Sequence, residues 1–402
     1  MADRERFVPQ RVGQITDRLV DGESWSGPHA PPTRVRAFSR LVTALFHFEM
    51  HAREQTLTEA WHDEHTPDDD RLIRDELAAL LEDANYTTVT MAELDEALEQ
   101  ESLIPLRFDI DLEDYEDLTV DRRGSRIETV EIPKWKGLRT VEHTMTVDES
   151  VVVHSLVKPA EWFEQRGIDP ADRNLQPGHR SLKQFQNVPR ADIEMLLPSV
   201  QVRMRPIDTL MVGVPAVVSG IVVLFTKLAP TLGLIALLVG AWIGVRDDTP
   251  ELDQTALVLL LGGAIALGGF LIRQWNKLKN RRVEYLKTLS ENLYFRTVGD
   301  GPGVIHTLLS AAEQQESIEV VLAYRFLLAA SPDGLTSDEL DTRIEAWLAA
   351  DGGDIDFEVD DAIAKLDDLD LLLDDDGRLR VRDLDDALVV LDRRWDDLFQ
   401  YA

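Results

Sequence analysis

The chain has 402 residues, 74 of them acidic and 42 basic, for a formal charge of −32, and it contains no cysteine. At about 100–200 residues per domain this length makes several modules, and 44% hydrophobic content excludes wholesale disorder. The missing cysteine excludes disulfide frameworks, zinc ribbons, thiol catalysis and iron–sulfur ligation.

The acidic excess consists of 44 Asp and 30 Glu against 9 Lys and 33 Arg, spread through nearly every polar segment. Such a coat of hydrated carboxylates suits a salt-rich cytoplasm, where self-repulsion is screened. The charge therefore describes the host, a halophile, and local departures from it carry the functional information.

In chain order, residues 1–32 form a tail and linker, with a short helix expected over 10–20 and a Gly/Pro-rich stretch at 27–32. No apolar leader follows Met1, so no signal peptide is expected. Residues 33–200 read as an α+β domain. A long helix is predicted over 33–62, with Leu41, Val42, Leu45, Phe46, Met50, Leu57 and Trp61 on a wide apolar arc. Its polar stripe carries His47, His51 and Glu54 at i, i+4 and i+7, so all three project from one face and are candidate metal ligands or acid–base groups. The zincin pattern H-E-x-x-H is absent, because HFEMH places Glu49 on the opposite side. The competing reading is a polar stripe that meets solvent or a neighbouring domain. No cofactor is expected.

A helix over 71–84 and a capping box at Thr90-x-x-Glu93 opening a helix over 91–101 follow. The period then changes to two. Strands are predicted near 106–110, 118–121, 127–132, 141–147 and 151–158, with a turn at Arg123-Gly124, as an antiparallel sheet. A loop is expected over 166–182, then an amphipathic run over 182–198 leading to a membrane.

Residues 207–272 depart from the acidic background. The stretches 209–226, 228–245 and 255–272 carry no charge, and Lys227 alone interrupts the first pair. Uncharged runs of about 18 residues read as transmembrane helices. The flanks Arg203, Arg205, Arg273, Lys277, Lys279, Arg281 and Arg282 are basic, while the loop 246–254 is acidic. Positive flanks stay cytoplasmic, which predicts an even number of crossings. The expectation is a two-span hairpin, near 212–245 and 255–272, in the cell membrane with both termini cytoplasmic. The seven basic residues are the expected membrane-interface set, and the lipid bilayer the expected partner.

Residues 273–330 read as a basic helix and a helical connector, with the chain broken at 299–303 (GDGPG) and helices at 304–312 and 314–330. In 331–402, Thr336-x-x-Glu339 caps a helix over 337–350, a short strand occupies 355–357, and a helix over 358–369 follows. A β-hairpin over 371–381 and a helix over 384–400 complete a winged-helix-like outline. These 72 residues carry 23 acids and 7 bases, so nucleic acid is not the expected partner. Contact with other proteins is, and a homo-oligomer is compatible with it.

An ordered series of motifs spans the chain: HFEMH at 47–51, LKQFQNVPRADIEMLLP at 182–198, RQW at 273–275, LSENLYF at 289–295, DDAIAKL at 360–366 and WDDLF at 395–399. With these the chain resembles the transmembrane protein 143-like family from residue 34 to 399. The resemblance implies a membrane protein with two predicted spans and a domain of unknown function, and it brings no catalytic residues. The chain departs from that pattern in its acidity and at Gln184, Gln186 and Asn187.

The expected whole is an α+β membrane protein: N-terminal helices plus an antiparallel sheet, a two-span transmembrane hairpin and a winged-helix-like domain. The expected function is a membrane-anchored interaction or scaffolding protein rather than an enzyme. The alternatives are a membrane-bound enzyme using His47, His51 and Glu54, and an oligomeric channel.

Overall fold

The computed structural model describes residues 4–21, 30–62, 66–90, 93, 107–109, 111–134, 139–173, 175–198, 201–203, 296–350, 354–375 and 377–399, with isolated residues between 243 and 276. The chain divides into two units. One comprises 1–100, 111–199 and 296–402, and the other comprises 101–110 and 200–295.

In the first unit, helices α1 (Val12–Asp21), α2 (Pro32–Ala60) and α3 (Pro67–Asp83) come first. Proline in the first turn starts both α2 and α3, where its missing N–H costs nothing. Thr66 and Asp69 form a reciprocal capping box on α3. The buried residues of α2 (Val35, Phe38, Val42, Leu45, Phe46, Met50 and Leu57) recur at three- and four-residue spacing and place one stripe inward.

The sheet has the order β1-β3-β4-β5-β7, formed by β1 (Thr87–Thr88), β3 (Tyr115–Lys134), β4 (Arg139–Val157), β5 (Arg180–Pro189) and β7 (Thr297–Asp300). All of its pairings are antiparallel. A short helix, α4 (Ala160–Arg166), ends on Gly167 in the left-handed conformation.

Helix α5 (Pro302–Ala329) leaves the sheet edge and joins two cores. Its first half (Val304, Ile305, Leu308, Leu309 and Ala312) packs with Met50 and Leu57 of α2, with α3, and with Val152 and Leu182 of the sheet. Its second half, through Ile318, Val321, Leu322 and Tyr324, packs with α1, the start of α2 and the C-terminal elements. Each fully buried aliphatic side chain contributes roughly 1.5–3 kcal/mol. Tyr324 stacks on Phe38 with ring centroids 4.0 Å apart.

The C-terminal elements are α6 (Ser337–Ala349), α7 (Val359–Asp368), the hairpin β8 (Leu372–Asp375) and β9 (Arg378–Val381), and α8 (Leu384–Asp396). Leu335 bridges Leu379 antiparallel, adding a one-residue rung to the hairpin. The N-terminal segment reaches across, because Glu5 forms a parallel bridge with Ile355.

In the second unit, β2 (Arg107–Asp109) pairs antiparallel with β6 (Gln201–Arg203), from Arg107↔Arg203 to Asp109↔Gln201. The isolated residues described between 254 and 276 are helical, and Val258, Leu261, Ile265 and Ile272 among them are exposed.

The α+β class with an antiparallel sheet stands. The two-span hairpin, and with it the multi-pass placement in the cell membrane, is corrected: among the described residues no helix is long and apolar enough to cross a membrane. A span needs about 20 consecutive apolar residues in one helix. The long helix α2 carries charge outside its buried stripe, as at Arg40, Glu49 and Arg53, so it is apolar on one side only. The stretches 212–245 and 255–272 lie outside the described residues apart from isolated positions.

Several local expectations also change. The strands expected at 118–121 and 127–132 are one strand, β3, and those at 141–147 and 151–158 are β4. Gly124, expected to turn the chain, lies within β3 at φ +71°, with a Cβ there 2.7 Å from Cβ of Glu149. The register runs unshifted from Arg123↔Ser150 to Ser125↔Asp148, so the glycine takes this conformation within the ladder without ending it. The run 182–198 belongs to β5 and a 3₁₀ segment, and Phe185, Ile193, Met195, Leu196 and Leu197 are buried beneath the unit. The two helices expected at 304–312 and 314–330 are the single α5. The helix expected over 91–101 lies outside the described residues except at Glu93.

Candidate functional site

The polar stripe of α2 lies along α5. His47 Nδ1 is 2.8 Å from Glu313 Oε2, and Glu54 Oε1 is 3.1 Å from His306 Nδ1. The other Glu54 oxygen is 3.6 Å from His51 Nδ1. Residues 47 and 54 thus face 313 and 306, the pairing of two antiparallel helices at matching seven-residue steps. The ladder is solvated, with the side chains of His47 and His306 73% and 74% exposed. His306 and Glu313 escape a reading of α2 alone, because another helix supplies them.

Among the described residues, three potential metal-ligating atoms gather within 4.8 Å only at Glu316, Glu319 and Asp361. That place has its own cation. Lys365 Nζ lies 2.5 Å from Glu319, 2.5 Å from Asp361 and 2.7 Å from Glu316. Helical spacing makes the cluster: Glu316 and Glu319 share one face of α5 at i, i+3, and Asp361 and Lys365 share one face of α7 at i, i+4.

Burial pushes the Glu316 carboxyl up to about 8 and that of Glu319 to about 7, although the Lys365 charge pulls both down. Burial opposes the Lys365 charge too, but the surrounding carboxylates outweigh it and raise its pKa. Three carboxyls around one ammonium are balanced only while protons remain on the glutamates.

The cluster extends to the end of α3 and to the N-terminal segment. Asn85 donates from Nδ2 to Glu319 Oε1 at 3.1 Å and to Gln315 Oε1 at 3.3 Å. Gln315 accepts from Val8 N and donates to Val8 O, each at 3.0 Å. Arg6 pairs with Glu358 at the start of α7. Arg4 pairs with Glu345 at 3.0 Å and Asp354 at 3.1 Å. The inward face of α7 is therefore locked, and its exposed positions include Asp360, Asp361, Asp367 and Asp368. Helix α8 and the residues after it expose Val389 (57%), Trp395 (41%) and Phe399 (65%). Phe48 of α2 meets Phe399 edge to face, with ring centroids 5.2 Å apart.

Of the basic set, Arg203 falls in β6 and Arg273 is helical and exposed. Arg205, Lys277, Lys279, Arg281 and Arg282 lie outside the described residues.

Residues 148–303 match a family model described as "Protein of unknown function (DUF3754)". The match includes the second half of β4, all of β5 and β7, and the first two residues of α5. Nothing in it links the chain to transmembrane protein 143. No solved structure matches the chain.

Proposed function

We propose that the chain is an interaction or scaffolding protein whose winged-helix-like C-terminal module offers a surface to a protein partner. The observation behind this reading is the orientation of α7. Its one basic residue, Lys365, is turned onto α5 and surrounded by carboxylates, and the outward positions of the helix are mainly acidic. Phosphate contacts need outward Lys or Arg, so this face repels nucleic acid. A protein with a basic and apolar surface fits it, the basic part against α7 and the apolar part against Val389 and Trp395.

The test is site-specific photocrosslinking of the full chain in its native cells, with the probe placed at Val389, at Asp367 and at the control position Asp172. A discrete protein adduct at 389 and 367, absent at 172, is the expected result. Adducts indistinguishable from the control, or saturable duplex binding in a gel-shift titration at working salt, would overturn the reading.

A further inference from the structure

A cavity of about 360 Å³ lies between α3 and one face of the sheet. Register builds its floor. Asp117, Thr119 and Asp121 alternate along β3 and so point the same way, and His154 of β4 pairs directly with Thr119. Thr88 of β1 pairs with Asp121, and Arg74 of α3 closes one side.

His154 is 3% exposed. Its Nδ1 lies 3.4 Å from Asp117 Oδ2, an oxygen that also accepts from Arg74 Nε at 3.0 Å. The bond with His154, reinforced by Arg74 against the cost of burial, holds the Asp117 carboxyl below the usual range. With Nδ1 directed at Asp117, the neutral imidazole presents Nε2 as an acceptor. That Nε2 is buried and has no hydrogen-bond partner among the described residues. Buried polar atoms are nearly always paired, so an unpaired one in the wall of a cavity points to a missing donor.

The other groups describe that donor's molecule. Asp121 is buried and accepts from the Thr88 hydroxyl at 2.6 Å, and burial raises its carboxyl above the usual range. Arg74 is paired with Asp117 and Arg6 with Glu358, so neither guanidinium of the lining is left to hold an anion. A floor rich in acceptors, with guanidinium and hydroxyl donors beside it, suits groups that both donate and accept. A hydroxyl does both without carrying charge.

We propose that this cavity is a binding site for a small neutral polyol, in which a ligand hydroxyl donates to His154 Nε2 while Asp117 fixes the imidazole tautomer. The lining touches the C-terminal module through Arg6, which pairs with Glu358, but neither proposal depends on the other.

The test uses the full chain labelled with ¹⁵N at histidine and titrated with glycerol and glucose, with inorganic phosphate and methylammonium as charged controls. The expected result is a saturable shift of the His154 Nε2 resonance with a polyol and none with the charged controls. Asp117→Asn is expected to move the proton toward Nε2 and weaken polyol binding. Arg74→Gln, on the exposed side of α3, weakens it with the fold kept. Absence of a saturable shift with both polyols overturns the proposal. So does a preference for phosphate or methylammonium, or a polyol response unchanged in both variants.

Discussion

At the scale of single residues, the buried cluster around Lys365 has a definite pH signature. Burial raises Glu316 from 4.5 to about 8 and Glu319 from 4.5 to about 7. A raised folded-state value means that the folded protein holds protons which the unfolded chain releases. The contribution is therefore fully present below the unfolded value and is lost as pH rises through about 7 to 8. Glu316→Gln keeps the shape without the titration. Urea unfolding is expected to find it near wild type at about pH 5 and more stable, on the order of 2 kcal/mol, at about pH 9. A variant with the wild-type slope would show that another group carries the pH dependence.

Neither partner stands out in the sequence. Glu316 and Glu319 are two acids in a chain with 74, and Lys365 is a lone base in an acidic helix. His154 is equally inconspicuous, one polar residue in the valine-rich run 151–157. Burial and partners give these residues their chemistry, and both are set by segments distant in the chain.

Elements were legible wherever one face meets the core and the other meets water. The amphipathic period places α2 within two residues of its observed start and end, and Thr336 and Glu339 mark the start of α6 through their reciprocal cap. Strand β5 was not legible in this way. Burial alternates over Arg180–Gln184, but the polar Arg180 and Gln184 take inward positions and Phe185 breaks the alternation, so hydrophobicity does not trace the strand.

One position governs the junction between α5 and the C-terminal module. Gly334 has φ +69°, and a Cβ there would lie 2.8 Å from the Leu379 carbonyl oxygen, beside the bridge between Leu335 and Leu379. Gly334→Ala is expected to cost roughly 1–3 kcal/mol through backbone strain and that clash. Thermal or urea unfolding measures it, and an unchanged midpoint would show that the turn relaxes freely.

For the whole molecule, the charge of −32 opposes compaction, because like charges are brought closer on folding. The N-terminal arginines offset this locally by pairing with module acids, as Arg4 does with Glu345 and Asp354. Raising KCl from low to high concentration is expected to raise Tm as repulsion is screened. A falling Tm would mean that specific ion pairs outweigh the diffuse repulsion.

By itself, the sequence determined the features that depend on local spacing. These are the α+β class, most helix positions, the cap of α6, the β8–β9 hairpin, and the shared face of His47, His51 and Glu54. Tertiary structure alone decided which of those faces meet each other. It set His306 and Glu313 opposite the α2 stripe, turned Lys365 into a ring of carboxylates, and aligned Asp117 and Asp121 beside an unpaired His154 nitrogen. It also overturned the reading of uncharged runs as membrane spans, among the residues it describes. The physical reason is one of range. Periodicity and capping act within a turn or a strand pair, whereas burial and a partner's charge depend on segments brought together only when the chain folds.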